Sequence, residues 1–475
     1  MAFFSWCLMF STLFLLFVAA FLDSTNGDAL ENYGILGSNH LRRLIQKDGI
    51  RYQTMLDKLE YHAMSKRVQE GEVDFQFGTN YKRKAQRRGR GSIVMKIRAG
   101  ADDGVGQYFV TLKAGTPGGE YQVVADTGSD LSWVHCLNRC GGGDRRQRRR
   151  NTTRGRLFCG DYSSSFKTLP CSSTMCKVDL ANLFSLVRCP SASAKCLYDY
   201  RYADGSAAMG LFANETITVQ LTNGREKKLH NTLLGCSQRS KGQTFEIADG
   251  VLGLGYSKYS FAVKAAKHYG GKFSYCLVDH LSTKNISNYL SFYSREVTTN
   301  SRIKMQHTEL ILGVLSSFYG VQIEGISIDN VILNIPREVF DANGKGGTIL
   351  DSGTSLTFLT KPAYLPVIDS LKKSLSNFKK VDLGIGPLGF CFDSTGFQES
   401  LIPRLVFHFA NGAKFIPHVK SYVIDAAPNV KCLGILSASW PGQSVIGNIM
   451  QQEHVWEFDL VNRKLGFSPS TCNVL

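Results

Sequence analysis

The 475-residue sequence predicts a mainly β protein built as two lobes of like design, with a site between them. Short Val-, Ile-, Leu- and Phe-rich runs bounded by Gly, Ser, Thr and Asn dominate the chain, and long helical periodicities are few. Hydrophobic residues make up 43% and charged residues 20%, which allows a sizeable core. An internal repeat then divides the chain. Val123-Val124-Ala125-Asp126-Thr127-Gly128-Ser129 recurs as Thr348-Ile349-Leu350-Asp351-Ser352-Gly353-Thr354. Gly250-Val251-Leu252-Gly253-Leu254-Gly255 follows the first copy, and Ser444-Val445-Ile446-Gly447-Asn448-Ile449 follows the second. The same order of parts implies two lobes, with the polar stretch 295–303 as the crossing between them.

Phe3 to Leu22 is an uncharged, mostly apolar run, followed by the polar Asp23-Ser24-Thr25-Asn26-Gly27. It has the form of a signal peptide lacking a basic n-region. A retained anchor is the competing reading, since the run is nearly long enough to span a bilayer. Residues 28–105 contain no cysteine. There Leu41, Leu44, Ile45, Met55, Leu56 and Leu59 have a partly helical spacing, and Lys82-Arg83-Lys84-Ala85-Gln86-Arg87-Arg88-Gly89-Arg90 is strongly basic. The expected organisation is a signal peptide at 1–22, a propeptide at 23–105, a first lobe at 106–298 and a second at 299–475. The basic run is expected to hold the propeptide against an acidic site until cleavage, with release as pH falls through roughly 5 to 4.

The net charge of +16 is local: +6 over residues 1–100, +7 over 139–156 and +3 elsewhere. A nucleic-acid-binding domain would spread its charge along a groove or face, so nucleic acid is not an expected partner. The Arg145–Arg150 insert reads as a solvated loop; a cleavage site or a patch for acidic partners is the alternative. Without Cys7, twelve cysteines remain, an even number that fits six disulfides in an oxidising compartment. Cys136-x3-Cys140 and Cys171-x4-Cys176 have zinc-like spacing, but no Cys/His set completes either site, so no metal and no cofactor are expected. Asn151, Asn214 and Asn285 begin glycosylation sequons, in agreement with a secretory route.

The repeated turn carries the chemistry. Glycine permits a sharp turn after each strand, and the hydroxyls on both sides can hydrogen-bond a carboxylate or the facing turn. Two facing carboxylates can share one proton, because like charges that close resist joint ionisation. The ionised one, Asp126 or Asp351, would take a proton from water attacking a peptide carbonyl. The other would protonate the carbonyl oxygen. That requires neither metal nor covalent nucleophile and implies an acidic optimum.

The motifs at 126–129 and 351–354 resemble the two catalytic motifs of pepsin-like aspartic proteases, and the resemblance covers nearly all of 106–475. It implies a bilobal pepsin-like fold with Asp126 and Asp351 as the catalytic pair and protein or peptide substrates. Gly128, Ser129, Gly353 and Thr354 would lie beside those carboxylates and contribute to binding the substrate, and Thr127 and Ser352 would lock the two turns. Tyr202-Ala203-Asp204-Gly205-Ser206 resembles the family's flap, with Tyr202 covering the substrate and Trp133 behind it. Ala203 stands where many relatives have Gly.

The cysteine-rich insert, with the runs Cys176–Leu180, Phe273–Leu281 and Ile446–Gln452, resembles the plant nepenthesin-type subfamily. Order within that subfamily implies Cys136–Cys140, Cys159–Cys236, Cys171–Cys196, Cys176–Cys189, Cys276–Cys472 and Cys391–Cys432. A monomer in the secretory pathway, extracellular or vacuolar and without stable membrane insertion after signal removal, is expected. Resemblance to a chloroplast-associated member keeps that organelle as the alternative. The rival function is a catalytically inactive pepsin-fold protein that binds or inhibits other enzymes. Such relatives usually lose part of one motif, and both are intact here.

Overall fold

The structure, a computed structural model, describes residues 35–68, 92–138, 140, 156–181, 187–202, 206–242, 244–279, 288–293, 304–384 and 388–472. The apolar N-terminal run, the basic run 82–90, the Arg insert 145–150, the sequons at Asn151 and Asn285, and the crossing 295–303 lie outside the described residues. The first described element is helix α1 (Ile35–Val68). The first lobe follows with β1 (Ile93–Ala99), β2 (Tyr108–Ala114), β3 (Gly119–Asp126), β4 (Trp133–Leu137) and β5 (Phe158–Cys159). It continues with β6 (Leu197–Arg201), β7 (Ala207–Gln220), β8 (Glu226–Lys241), β9 (Gly250–Gly253), β10 (Lys272–Cys276) and β11 (Asn288–Tyr293). In the second lobe the strands that matter here are β12 (Thr348–Leu350), β13 (Thr357–Thr360), β14 (Ser444–Ile446), β15 (His454–Asp459) and β16 (Lys464–Pro469).

The sequence repeat is a repeat of topology. β3 lies parallel to β9, with Gly253 opposite Asp126, and β9 is antiparallel to β4 through Val251 and Trp133. In the second lobe β12 lies parallel to β14, with Ile446 opposite Leu350, and β14 is antiparallel to β13 through Val445 and Phe358. Val123 to Asp126 and Thr348 to Leu350 are buried throughout. Central strands covered on both faces read as continuous apolar runs rather than alternating ones, which is why both motifs begin apolar. Gly250 and Gly447 allow close strand approach: a Cβ at Gly250 would meet the Trp133 carbonyl oxygen at 2.0 Å, and one at Gly447 would meet that of Leu356 at 2.2 Å.

A sheet shared by both lobes forms the base. β1 pairs with β2 and β11, β11 with β10, β10 with β15, and β15 with β16. Because β10 belongs to the first lobe and β15 to the second, their ladder joins the lobes. Phe273, Phe292, Tyr319, Trp456, Phe458 and Phe467 fill the core around it.

Two of the six disulfides join the partners implied by the subfamily order, Cys276–Cys472 and Cys391–Cys432. The other four differ: Cys136–Cys236, Cys140–Cys159, Cys171–Cys189 and Cys176–Cys196. Strand register decides the first two. β4 runs parallel to β8 with Val134 opposite Cys236, and parallel to β5 with Leu137 opposite Cys159. Cys136 therefore reaches Cys236, and Cys140, just past the strand end, reaches Cys159. In the other cluster the Cys176 and Cys189 sulfurs lie only 3.3 Å apart without being bonded, so either pairing of the four is sterically close. Cys171, Cys176 and Cys189 sit at metal-like distances, but each is in a disulfide and has no thiolate to offer. Among the described residues no helix is long and apolar enough to cross a membrane.

Candidate active site

β3 ends on Asp126 and β12 leads directly into Asp351, and the two carboxylates face each other across the lobe junction, each residue 1% exposed. Each carboxylate is held in the same way by its own turn. Gly128 N–H donates to Asp126 Oδ1 at 2.9 Å and Ser129 Oγ to Oδ2 at 2.6 Å. Gly353 N–H donates to Asp351 Oδ1 at 2.9 Å and Thr354 Oγ1 to Oδ2 at 2.6 Å. The turns are also locked to each other. Thr127 N–H donates to Ser352 Oγ at 3.0 Å and Ser352 N–H to Thr127 Oγ1 at 2.8 Å, while Ser352 Oγ donates to the Ala125 carbonyl at 2.9 Å. Gly353 is required by close approach, since a Cβ there would sit 2.3 Å from Asp126 Oδ1.

The hairpin of β6 and β7 brings Tyr202 into the cavity that Asp126 lines, close enough to feel its charge, and Tyr202 N–H donates to the Ser206 carbonyl at 2.8 Å across the hairpin's end. The Trp133 indole N–H donates to the Tyr202 hydroxyl. Phe245 completes the group, with ring centroids 4.8 Å from Trp133 and 5.2 Å from Tyr202. Ala203, Asp204 and Gly205 lie outside the described residues.

The cleft is filled by α1. Its buried face is Leu41, Leu44, Ile45, Asp48, Tyr52 and Met55, at the three- and four-residue spacing of a helix. Four of the apolar members, Leu41, Ile45, Tyr52 and Met55, pack on Leu315, Phe318, Ile349, Leu356, Phe358 and Ile424 of the second lobe. The Tyr52 ring stacks on Phe358 at 5.0 Å. Arg51 enters between the carboxylates. Its Nη2 donates to Asp126 Oδ1 at 2.6 Å and Asp351 Oδ1 at 2.9 Å, and its Nε to Asp351 Oδ2 at 2.9 Å and Thr354 Oγ1 at 2.8 Å. Two further anchors flank it. Asp48 accepts from the backbone N–H groups of Ser355 at 3.1 Å and Leu356 at 2.5 Å, and Lys58 Nζ donates to Asp130 Oδ2 at 2.6 Å.

Burial pushes Asp126 upward, but the Arg51 guanidinium and the bonds from Ser129 and Gly128 outweigh it and hold this carboxyl below its ordinary 3.8. Burial raises Asp351, and the neighbouring Asp126 charge keeps it raised despite Arg51. The two environments are thus pushed apart, as a shared proton requires. Asp48 is pushed up to about 7 by burial, against the pull of its two backbone donors and Arg51.

The sequence reading missed Arg51, Asp48, Lys58, Phe245 and Asn448. For Asp48 the signal was present, because a carboxylate on the apolar face of an amphipathic helix asks for a partner. For Arg51 it was weaker, a cation beside that face. Asn448 donates through Nδ2 to the Gly106 carbonyl at 3.0 Å and the Ser352 carbonyl at 2.9 Å, tying the second turn to the start of the first lobe.

Family models agree with this geometry. The xylanase inhibitor N-terminal model matches residues 108–292 and the xylanase inhibitor C-terminal model residues 318–469. The chain is 33% identical to aspartyl protease family protein 2 of Arabidopsis thaliana over 80% of its length and 74% of the relative's. It is 30% identical to aspartic proteinase nepenthesin-2 of Nepenthes gracilis over 78% of each chain. Basic 7S globulin from soybean superposes with a TM-score of 0.61 at 18% identity, covering 81% of this chain and 99% of that one. With its fold, paired motifs and relatives in agreement, this chain belongs to the pepsin-like aspartic protease family of plants.

Proposed function

We propose that the chain is the latent precursor of an acid endopeptidase, with Asp126 and Asp351 as catalytic pair and α1 as its internal inhibitor. One observation carries this reading: two buried carboxylates, each held by a Gly N–H and a hydroxyl of its own turn, share a single guanidinium from the chain's own N-terminal helix. Once α1 leaves, a water between the carboxylates replaces Arg51. The ionised carboxylate takes its proton as it attacks the substrate carbonyl, and the protonated one donates to the carbonyl oxygen. The leaving amine is protonated as the intermediate collapses. Tyr202, backed by Trp133 and Phe245, closes over the extended peptide and orders it. The test is acid cleavage of a denatured protein by the processed chain, blocked by a pepstatin-type inhibitor. No cleavage from pH 3 to 6 (about the range in which a carboxylate pair shares one proton) would favour the inactive, binding form of this fold.

The removable part would end before Ile93. β1 is laddered to β2 and β11, and its Ile93, Met95 and Ile97 are buried in the core, which supports counting it with the enzyme and ending the removable part short of the 105 expected from the sequence. Six disulfides suit the secretory route proposed for the chain, with the chloroplast as the alternative.

Tyr202→Ala is expected to lower kcat/KM about 10- to 100-fold by loosening substrate orientation without removing a proton-transfer group. Kinetics equal to wild type would remove Tyr202 from the flap role.

The two kinds of carboxylate respond oppositely to pH. Asp126 is lowered by docking, so its contribution to holding α1 is present above 3.8 and lost as pH falls through its depressed value. Acid therefore weakens the hold on α1 through this group, because protonating Asp126 removes the charge that Arg51 pairs with. Asp48 is raised by docking, so its contribution is full below 3.8 and lost as pH rises through about 7. Helix α1 is consequently held best between these limits. Asp48→Asn resembles the protonated acid and should keep α1 docked at pH 8 (about one unit above the Asp48 transition). Hydrogen exchange of 45–59, corrected for intrinsic rate, is expected to accelerate through pH 7 in wild type and not in the variant. Identical profiles would exclude Asp48 as the alkaline release group.

A further inference from the structure

Lys58 lies two helical turns beyond Arg51, about 10.5 Å along α1. Its ammonium occupies a formed site. Asp130 Oδ2 accepts at 2.6 Å, Ser317 Oγ accepts at 2.9 Å, and the Phe318 ring lies under the charge with its centroid at 4.8 Å. Asp130 belongs to the first lobe, immediately after the catalytic turn, and Ser317 and Phe318 to the second, so the site straddles the cleft. The Asp130 side chain is only 2% exposed, and its Oδ1 has no hydrogen-bond partner. Tyr200 and Tyr319 stand close enough to feel its charge, and neither supplies a cation. Burial pulls the Lys58 ammonium down, but Asp130 more than restores it, so the occupant is charged.

When α1 departs, Asp130 loses its only ion-pair partner among the described residues and remains as a carboxylate set deep in the vacated cleft. A buried charge left unpaired is strongly unfavourable, and whatever next fills the cleft is selected for a cation at that point. We propose that Asp130, Ser317 and Phe318 form a lysine-accepting subsite of the processed enzyme, for which Lys58 is the internal stand-in. This rests on the endopeptidase reading above. Carboxylate, hydroxyl and aromatic face match the compact charge of a primary ammonium. The distance from Arg51, which marks the catalytic centre, equals about three residues of extended peptide. The favoured lysine therefore sits at one fixed position within about three residues of the scissile bond.

The test uses the processed enzyme and a series of otherwise identical peptides. Each carries a single lysine, arginine or norleucine at successive positions around the cut. The expected result is one position at which lysine gives about tenfold higher kcat/KM than norleucine, with arginine between them. In Asp130→Asn the lysine-to-norleucine ratio should fall to about one. Ser317→Ala and Phe318→Leu should each lower it by a smaller factor, which keeps the test open if Asp130→Asn folds poorly. The ratio within each enzyme is the readout, so a general loss of rate does not affect it. Equal rates for lysine and norleucine at every position in wild type would overturn the subsite and leave the endopeptidase standing. An unchanged ratio in Asp130→Asn would do the same. Cleavage of no peptide at all would overturn both.

Discussion

Asp126→Asn and Asp351→Asn are each expected to reduce peptide hydrolysis by the processed chain at least about 1000-fold, with the fold intact. An amide keeps the shape of the carboxyl and still accepts from Gly128 or Gly353, so the turns remain locked through Thr127 and Ser352. It can neither take a proton from water nor complete a pair sharing one proton. Both groups are needed for one event, so the two losses should be similar in size and should not add in the double variant. Thermal melting checks the fold, and initial rates on one peptide check the chemistry. Residual activity within about tenfold of wild type in either well-folded variant would remove that residue from the catalytic pair.

Arg51→Glu carries the second large effect. Arg51 neutralises two buried carboxylates at once, and both its neighbours in the cleft, Asp126 and Asp351, depend on it for a counter-charge. A glutamate would place a third carboxyl against them. Breaking a buried pair while adding a like charge costs about 3–5 kcal/mol, enough to displace α1 in spite of its apolar contacts. The uncut precursor should then hydrolyse peptide at least about 100-fold faster than the uncut wild type at pH 5 (a pH at which about half or more of ordinary carboxyls are ionised). Arg51→Lys, which keeps the charge but not the fork of donors, should stay largely latent. An uncut Arg51→Glu chain as inert as wild type would mean that the apolar face of α1 alone blocks the cleft.

Legibility in the sequence followed range of interaction. The carboxylate turns are local, and seven consecutive residues around Asp126 and again around Asp351 contain both donors, a Gly N–H and a hydroxyl, by which each turn holds its own carboxylate. The mainly β class was equally local. The helix that fills the cleft was only half visible. Leu41, Leu44 and Ile45 announced a helical face, but nothing in the sequence said that this face docks on Phe318, Ile349 and Phe358, some 300 positions away. The more conspicuous run, Lys82–Arg90, drew the electrostatic argument, although the cation between the carboxylates is the isolated Arg51. Charge density along the chain is a poor guide to burial, because a cation packed between buried carboxylates counts for far more than an exposed one. The disulfides failed for a related reason. Cys136 and Cys236 are brought together by a parallel ladder between β4 and β8, and register across 100 residues of sequence cannot be read from cysteine order. Phe245 escaped notice because a lone phenylalanine in a four-residue helix has no pattern until Trp133 and Tyr202 are seen beside it.

The central claim is that one carboxylate pair is both the catalyst and the group that α1 restrains. Hydrolysis of a denatured protein by the uncut Arg51→Glu chain, compared with the uncut Arg51→Glu/Asp351→Asn chain, tests both halves in one assay. The account predicts rapid cleavage by the first, at about pH 5, and none by the second. Equal activity in the two chains, or none in either, would contradict it.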